Sequence, residues 1–456
     1  MAMVIWAFPG EGCEVSLKRR TLLNFAGPGL LLHAMGLPAV VYLPPYYAGE
    51  LGMGLAAVGL IFFLVRAIDL PLDVYLGAMM DRTNSRWGRF RPWIGVGGLL
   101  MGIGVWLVFF AKPGTPPWLG LLFLLVAYAG QSSLWLSQTS WGSQLSADYN
   151  ERSRIFGWWQ LLNIAGLLMI AAIPPLLGGT AAENIHAMGW FALAMVPLTI
   201  LPVLLWLPEP ANTAPSEHAA WRDIVSLTRN KLLMRLLVAD LLVSLAPGVT
   251  GALFRFYFEH VLGYNGQQTG ALLLIYFTVG LLTIPFWAWL ARRASKHRTL
   301  AIAGVAYAVL QTGVVLLPPN SFEMAMVGMG IAGLPYAAGA FLLRAILADV
   351  IDVDRLETGA DRTGLLSAVL TTTGKIGYAI PVGATYGVLA LVGFNATSGA
   401  VNTDFANGSL IALFTILPAS IMLIMSWRMW SWPHDKVEHA RVQSELAARD
   451  TARAAA

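Results

Sequence analysis

Three charged side chains, Arg66, Asp69 and Asp73, interrupt an apolar stretch that reads "LVRAIDLPLDVYLGAMM" from Leu64 to Met80. Their spacing of three and then four residues places all three on one face of a helix. A charged side chain near the centre of a membrane helix costs roughly 2.5–3.5 kcal/mol, so such groups usually bind ions or substrates. This face is therefore a candidate functional site.

The two carboxylates predict a site for a cation. Asp69 and Asp73 lie one helical turn apart and repel each other, and burial further penalises their charged forms. Either H⁺ or Na⁺ would relieve the repulsion, whereas Arg66 can balance only one of the two acids. Pro71 has no N–H, which leaves the carbonyl of Ala67 without its helical partner and free to face a cation.

A second intramembrane cation lies far along the chain, at Lys375 in "TTTGKIGYAIPVG". It has no acidic residue within one turn, so we expect its partner on another helix. Together, Arg66 and Lys375 would balance Asp69 and Asp73 to zero charge. Ion binding would then loosen Lys375 and bias one arrangement of the helices over another. A static charge network that fixes helix packing is the alternative.

The composition places these charges in a membrane protein. Of 456 residues, 57% are hydrophobic and 12% charged, against about 25% charged in soluble domains. Cys13 is the only cysteine, which excludes a disulfide framework and a cysteine-based metal site. Apolar runs near 20 residues predict twelve membrane helices. Their spans are 22–46, 54–80, 92–112, 117–146, 153–176, 188–207, 231–260, 267–292, 299–317, 322–348, 363–393 and 408–432.

Lysine and arginine concentrate in the connections after the even-numbered helices. The positive-inside rule then places both termini and the central linker in the cytoplasm, so we read the net charge of +4 as topology and expect no nucleic-acid partner. Basic loops after helices 2 and 8, and mixed loops after helices 4 and 10, predict two repeats with a binding site between them. The predicted divisions are a tail 1–21, a bundle 22–208, a linker 209–230, a bundle 231–433 and a tail 434–456.

The helix 2 pattern resembles the signature of the glycoside–pentoside–hexuronide:cation symporters, a branch of the major facilitator superfamily. It reads Arg66-x-x-Asp69-x-x-x-Asp73, then Gly77, "DRT" and "GRFRPW". Further similar segments are "ADYNERSR", "ADVIDVD" and the Lys375 helix, over about residues 22–435. The resemblance implies Asp69 and Asp73 as the coupling-cation site, with Lys375 close by.

The resemblance also implies a fold and a function. The fold is an all-α membrane protein with twelve transmembrane helices in two pseudo-symmetric six-helix bundles. The function is symport of a small polar solute, a sugar, glycoside or uronide, with H⁺ or Na⁺ by alternating access. We expect a monomer in the bacterial inner membrane.

Candidate substrate ligands follow from matching this sequence to the sugar-binding members. The acids that those members carry on helices 1 and 4 correspond to His33 and to Ser137, or to Gln138 if the helix 4 register slips by one. The helix 4 aromatic corresponds to Trp141. These departures place galactoside specificity in question.

The same comparison bears on the ion. The neutral asparagine that precedes the second acid in sugar-binding members is Leu72 here. The expected helix 4 hydroxyl falls on Leu134 or Trp135. With two neutral oxygen ligands missing, the sequence favours H⁺ over Na⁺, which needs several oxygen atoms.

Two arginines admit alternative interpretations. Arg344 on helix 10 either pairs with Asp349 or Asp352 as part of a cytoplasmic gate, or faces the cavity and indicates an anionic substrate such as a hexuronate. Arg255 is predicted to pair with Glu259, one turn further on.

Charged residues at the cytoplasmic mouth are predicted to form a gate that pairs when the cavity faces outward and separates when it faces inward. The set is Asp81, Arg82, Arg89, Arg91, Asp148, Arg152, Asp349 and Asp352.

The sequence contains no phosphate-binding glycine loop, His–Glu metal motif or nucleophile elbow, so we expect neither an enzyme nor a cofactor. A lysolipid carrier of the same fold is the main alternative. An intramembrane aspartyl protease is more remote, because it needs two carboxylates on facing helices. Asp69 and Asp73 lie on one helix.

Overall fold

The computed structural model describes residues 17–83, 85–146, 149–209, 227–319, 321–359, 362–434 and 436–455. Within these ranges every regular element is a helix. Eleven helices are long and apolar enough to cross a membrane, and a bent pair brings the number to twelve when it counts as one span. The predicted all-α membrane fold is confirmed.

The first six spans, α1 to α6, are joined by short connections. Two of them are composite: α1 includes a π-helical turn and a short second helix, and α5 ends in a separate short helix. The bounds are α1 Arg19–Leu37, Pro38–Tyr42 and Leu43–Ala48; α2 Leu55–Arg82; α3 Arg91–Phe109; α4 Pro117–Gln144; α5 Tyr149–Ala171 and Ile173–Leu177; and α6 Ala181–Trp206.

The remaining spans, α7 to α12, follow the linker, and a last helix, α13, follows α12. The bounds are α7 Lys231–Phe256 and Tyr257–Val261; α8 Gly266–Leu282 and Ile284–Ala294; α9 Lys296–Gly313 and Val314–Leu316; α10 Phe322–Gly333 and Ala338–Thr358; α11 Thr363–Leu391; α12 Asp404–Trp430; and α13 Lys436–Ala455.

Side chains at the break in α8 donate hydrogen bonds to a backbone carbonyl at the break in α10. The two parts of α8 meet at an angle of 40°, where Pro285 cannot donate a helical hydrogen bond. The carbonyl of Leu334, in the break of α10, accepts hydrogen bonds from the Thr283 hydroxyl at 2.7 Å and from the Trp287 indole at 2.8 Å. Backbone groups released inside a membrane need such partners, so the two breaks stabilise each other.

Helix packing repeats with an offset of six helices. In the first bundle α1 packs on α5 and α6, α3 on α6, and α2 on α4; in the second α7 packs on α11 and α12, α9 on α12, and α8 on α10. The contacts between bundles, α2 with α11 and α5 with α8, exchange under the same offset. This repetition is the two-fold pseudo-symmetry of two six-helix bundles.

Glycines allow the closest approach between α3 and α4. A Cβ atom at Gly104 would lie 2.4 Å from the Cα of Ala127, and one at Gly130 would lie 2.4 Å from the backbone nitrogen of Met101. Since no larger side chain fits these positions, small residues set the distance between the helices.

The bundles meet at one end of the molecule, which we call the outer end. There a Cβ at Gly59 of α2 would lie 3.6 Å from the Cα of Gly383 on α11, and the Gln267 amide of α8 donates to the carbonyl of Pro175 at 3.1 Å. At the other end, the linker end, the ion pairs Arg91–Glu209, Lys296–Asp349 and Arg362–Asp354 each lie within one bundle. Among the described residues, the contacts that join the bundles therefore concentrate at the outer end, and these linker-end ion pairs do not join them.

The C-terminal helix α13 packs against the linker end of α10. Val442 and Leu446 form a small apolar cluster with Val353. The Arg449 guanidinium donates to the carbonyls of Arg355 and Leu356 at 3.0 and 3.2 Å, which caps the end of α10.

Candidate transport site

The charged face of α2 lies midway along the molecule, where Asp69 is almost completely enclosed. Its side chain is 1% exposed, and its Oδ2 accepts a hydrogen bond from Arg66 Nη1 at 3.2 Å. The Arg66 guanidinium also lies 4.2 Å from the centre of the Tyr128 ring, a cation–π contact that holds it in place. Asp69 therefore keeps a fixed positive partner on its own helix.

A hydroxyl group from α4 completes the surroundings of Asp69. Ser132 Oγ donates to Asp69 Oδ1 at 2.9 Å, and both residues are buried. The hydroxyl expected on helix 4 is that of Ser132, and the assignment of Leu134 or Trp135 to this position is corrected. The site therefore contains a neutral oxygen atom from α4.

Asp73 joins the two bundles. Lys375 Nζ on α11 donates to Asp73 Oδ2, as expected of a lysine with no acid on its own helix. Asp73 Oδ1 is buried and has no hydrogen-bond partner. Asp73 thus differs from Asp69, because among the described residues its partner comes from the other bundle and one of its oxygen atoms accepts no hydrogen bond.

Three of the expected substrate ligands lie inside the first bundle. Ser137 Oγ donates to the carbonyl of Ser133, and the Gln138 amide donates to the carbonyl of Phe25 at 2.6 Å. Trp141 stacks on a neighbouring ring and donates to a backbone carbonyl at 3.2 Å. All three side chains are buried and have partners within the first bundle, so this conformation does not present them to a solute, and their contact with substrate stays a prediction.

The physical reason is the rotation of α4 about its axis. Ser132 faces Asp69, and positions three and seven residues further, Trp135 and Thr139, share that face. Residues 137 and 141 then point to the opposite side of the helix, toward its neighbours within the bundle. Residue type does not separate the two faces, because small polar side chains and a tryptophan occur on each of them.

His33 and two tryptophans form the wall of the first bundle. His33 is partly exposed, its ring centre lies 6.3 Å from that of Trp135, and Trp135 packs edge-on against Trp159 at 5.0 Å. An imidazole beside partly exposed indole surface suits a ring-shaped polar solute. His33 stays a candidate ligand, and Trp135 is one that sequence matching missed.

Arg344 forms no ion pair with Asp349 or Asp352 in the part of the chain that the structure describes. Its side chain is exposed, and its Nη1 donates to the carbonyl of Ala340 at 2.9 Å, on its own helix. Asp349 pairs instead with Lys296 at 2.5 Å, and the His439 ring lies 3.9 Å from Asp352. Of the two interpretations of Arg344, the structure excludes the ion pair with Asp349 or Asp352.

A further acid, Asp240 on α7, lies near Arg344 and was missed by the sequence analysis. It is 8% exposed and interacts electrostatically with Arg344 and with Tyr378 on α11. The signal was present in "LLVADLLVS", where one acid stands within an apolar helix.

Of the expected gate residues, Arg91, Asp349 and Asp352 have ion-pair partners that the structure describes, and none of these partners lies in the other bundle. Arg91 lies 3.7 Å from Glu209 and donates to the carbonyl of Leu207 at 2.8 Å, both within the first bundle. Arg89 lies 5.3 Å from the centre of the Phe90 ring. Arg82 is exposed at the end of α2. Pairing of gate residues across the bundles in the opposite state stays a prediction.

Three residues of the expected gate have side chains outside the described part of the chain. Asp148 lies outside the described residues, as do the side chains of Asp81 and Arg152. The predicted pair of Arg255 with Glu259 is confirmed, with two hydrogen bonds at 2.7 and 2.9 Å. Among the described residues, no group of three or more His, Cys, Asp or Glu side chains is arranged to hold a metal ion.

Comparisons with known proteins agree with this architecture. The family model described as "MFS/sugar transport protein" matches residues 24–436. The lactose permease of Lactobacillus delbrueckii subsp. bulgaricus is 25% identical over 79% of this chain, which spans 60% of that protein's length. The glucuronide carrier protein homolog of Escherichia coli K12 is 25% identical, covering 91% of this chain and 93% of its own.

A solved structure supports the fold independently. The nucleoside transporter NupG matches with a TM-score of 0.65 at 14% identity, covering 90% of this chain and 99% of that one. The matched region takes in both bundles and the Asp69, Asp73 and Lys375 site. This chain belongs to the MFS/sugar transport family of membrane transporters, and within it to the glycoside–pentoside–hexuronide:cation symporters.

Proposed function

We propose that the protein is a secondary active transporter that moves a sugar, glycoside or uronide together with H⁺ or Na⁺ by alternating access. Residues 22–208 and 231–433 would be the two bundles that move against each other, in a bacterial inner membrane with both termini cytoplasmic. The observation that carries the proposal is the ion pair between Asp73 and Lys375, which joins the bundles beside the buried Asp69.

The coupling rests on charge balance. Arg66 and Lys375 offset Asp69 and Asp73, so the cluster of four is neutral without a bound ion. A cation that binds Asp73 makes the cluster positive and weakens the attraction between Asp73 and Lys375. Since that ion pair spans the two bundles, cation binding changes the relative free energy of the open states.

The oxygen atoms at the site accommodate either ion. Asp69 and Asp73 supply carboxylates, and Ser132 supplies a neutral hydroxyl oxygen. The sequence favoured H⁺ because neutral ligands were missing on helices 2 and 4. The Ser132 hydroxyl supplies such a ligand from helix 4, whereas Leu72 on helix 2 has no side-chain oxygen atom.

Uptake into membrane vesicles tests the proposal. We expect accumulation of at least one sugar or uronide under an inward H⁺ gradient or an inward Na⁺ gradient, and loss of accumulation in Asp69→Asn and Asp73→Asn. Glu323→Gln, which alters an exposed acid at the start of α10, is the matched control and should keep wild-type uptake. Gradient-driven accumulation that survives in both aspartate variants would disprove the cation site.

Substitution of Ser132 identifies the ion. If Na⁺ is the coupling ion, Ser132→Ala removes an oxygen ligand and should raise the Na⁺ concentration for half-maximal uptake about tenfold, the equivalent of one lost hydrogen-bond-strength contact of about 1.4 kcal/mol. If H⁺ is the coupling ion, uptake driven by the pH gradient should persist without Na⁺ in this variant. The two gradients are compared in the same vesicle preparation.

A further inference from the structure

The second bundle carries two opposite charges that the proposed coupling does not use. Arg344 lies on α10 and Asp240 on α7, and the two side chains are close enough to interact electrostatically. An intramembrane arginine and an intramembrane aspartate are each costly, which makes a binding role the first hypothesis to consider.

Most hydrogen-bond donors of the Arg344 guanidinium have no partner among the described residues. The bond to the Ala340 carbonyl uses one donor of a guanidinium that has five, and among the described residues no carboxylate lies within ion-pair distance of it. Its charge interacts with His33 on the opposite bundle as well as with Asp240 and Tyr378. The guanidinium therefore lies on the side of the second bundle that is close to His33 of the first bundle.

One carboxylate oxygen of Asp240 accepts no hydrogen bond among the described residues. Its Oδ2 is buried without a hydrogen-bond partner, although the residue as a whole is more than nine-tenths buried. The neighbouring position on α11 is Gly374, where a Cβ atom would lie 3.3 Å from Asp240 Oδ2. The absence of a side chain there leaves space beside the carboxylate, and an unsatisfied buried carboxylate oxygen is expensive unless a partner arrives.

A ligand that satisfies both groups needs an anionic acceptor for Arg344 and a hydroxyl donor for Asp240. We propose that Arg344 and Asp240 form a substrate subsite on the second bundle that binds a sugar acid, with its carboxylate on the guanidinium and a ring hydroxyl on Asp240. Guanidinium and carboxylate groups match in shape and can form two parallel hydrogen bonds. This inference rests on the proposed sugar transport and narrows its substrate to carboxylate-bearing sugars.

The opposite wall is compatible with the same ligand. His33 and Trp135 on the first bundle present an imidazole and a partly exposed indole toward the cavity. A pyranose ring between the walls would place its apolar face on the indole while its carboxylate reaches Arg344. In this proposal the second bundle recognises the carboxylate of the substrate, and the first bundle recognises its pyranose ring.

Matched pairs of sugars test the charge requirement. Binding to the purified full-length protein is measured by tryptophan fluorescence for methyl β-glucuronide against methyl β-glucoside, and for the galacturonide against the galactoside. Each pair differs only in a carboxylate or a hydroxymethyl group at the same carbon. We expect at least one uronide to bind about 10- to 100-fold more tightly than its neutral partner, as a charge-assisted hydrogen bond would give.

Substitutions assign the preference to the two residues. Arg344→Gln should weaken uronide binding by about 10- to 100-fold and leave binding of the neutral glycoside unchanged, and Arg344→Lys should restore part of it. Asp240→Asn should weaken both members of a pair by a similar factor, because it acts on a shared hydroxyl. Arg298→Gln, an exposed arginine on α9, is the matched control, and size-exclusion profiles report folding.

The outcomes separate this inference from the proposed function. If no uronide binds, if neutral glycosides bind as tightly as uronides, or if Arg344→Gln weakens both equally, the subsite is disproved. Gradient-driven uptake of a neutral sugar under those results would leave the transporter proposal intact. Binding of lysophosphatidylcholine in preference to every sugar would overturn both.

Discussion

At the residue scale, Asp69 and Asp73 lie on the same helix but have different hydrogen-bond partners. Asp69 accepts hydrogen bonds from Arg66 on its own helix and from Ser132 on α4, and both partners lie in the first bundle. Asp73 has its partner Lys375 in the second bundle and an oxygen atom without one. Asp69 is held whichever way the bundles move, so Asp73 is the carboxylate whose environment depends on conformation.

Removing the lysine tests that difference. Lys375→Ala leaves the Asp73 carboxylate in a partly buried site without its partner, which costs roughly 3–5 kcal/mol when such a pair is broken. We expect lower thermal stability and loss of concentrative uptake. Adding Asp73→Asn removes the uncompensated charge and should recover stability but not coupling. Lys296→Ala, which breaks a lysine–aspartate pair outside the cavity, is the control for the general effect of losing an ion pair.

Two outcomes would contradict the proposed role of the Asp73–Lys375 ion pair. Unchanged uptake kinetics in Lys375→Ala would show that the ion pair between the bundles takes no part in transport. Equal losses of coupling in Lys375→Ala and Lys296→Ala would attribute the effect to stability alone.

At the element scale, glycines decide how closely helices approach within a bundle. Along α3 and α4 the backbones meet at Gly104 and Gly130, where even one methyl group would contact main-chain atoms of the partner helix. This contact fixes α4 against α3, and α4 in turn carries Ser132 to Asp69. The position of one oxygen atom at the site thus depends on packing two helices away.

A single methyl group tests this dependence. Gly104→Ala should destabilise the protein by roughly 1–3 kcal/mol through overpacking and also weaken cation binding, because α4 must shift. Gly157→Ala on α5 is the matched control, since nothing lies within 4 Å of its added Cβ, and it should leave the melting temperature unchanged or raise it slightly. Thermal shift with and without the coupling ion measures both effects. A Gly104→Ala protein as stable as the control would refute the close contact.

At the scale of the whole molecule, the proposed alternating access makes this structure one of two states. The contacts between the bundles, α2 with α11 and α5 with α8, concentrate at the outer end among the described residues. The Asp73–Lys375 pair also joins the bundles. The opposite state has to break the outer contacts and bring the linker-end charges together.

A cross-link at the outer end should prevent that exchange. Cysteines at Gly59 and Gly383 fall within reach of a disulfide, because a Cβ at position 59 would lie 3.6 Å from the Cα of residue 383. In a chain with Cys13→Ala, oxidation of this pair should abolish uptake but preserve substrate binding by purified protein, and reduction should restore uptake. Each single-cysteine variant is the control. Full transport by the oxidised protein would contradict the assignment of the outer end as a moving contact.

What the sequence determined by itself lies within single helices. Apolar runs of membrane length predicted the twelve spans, and the spacing of Arg66, Asp69 and Asp73 predicted one charged face. The need of Lys375 for a partner on another helix followed from the cost of an isolated charge in lipid. These properties depend on local spacing and on solvation, which the chain carries wherever its helices are packed.

Only the tertiary structure decided how each helix is rotated. Ser132 instead of Ser137 faces Asp69, Arg344 bonds to its own helix instead of pairing with Asp349, and Asp240 lies close to Arg344. In a soluble helix the polar face would reveal this rotation, but a membrane helix is apolar toward lipid and toward its neighbours alike. Packing at small residues sets the rotation, and that packing depends on partners far away in the sequence.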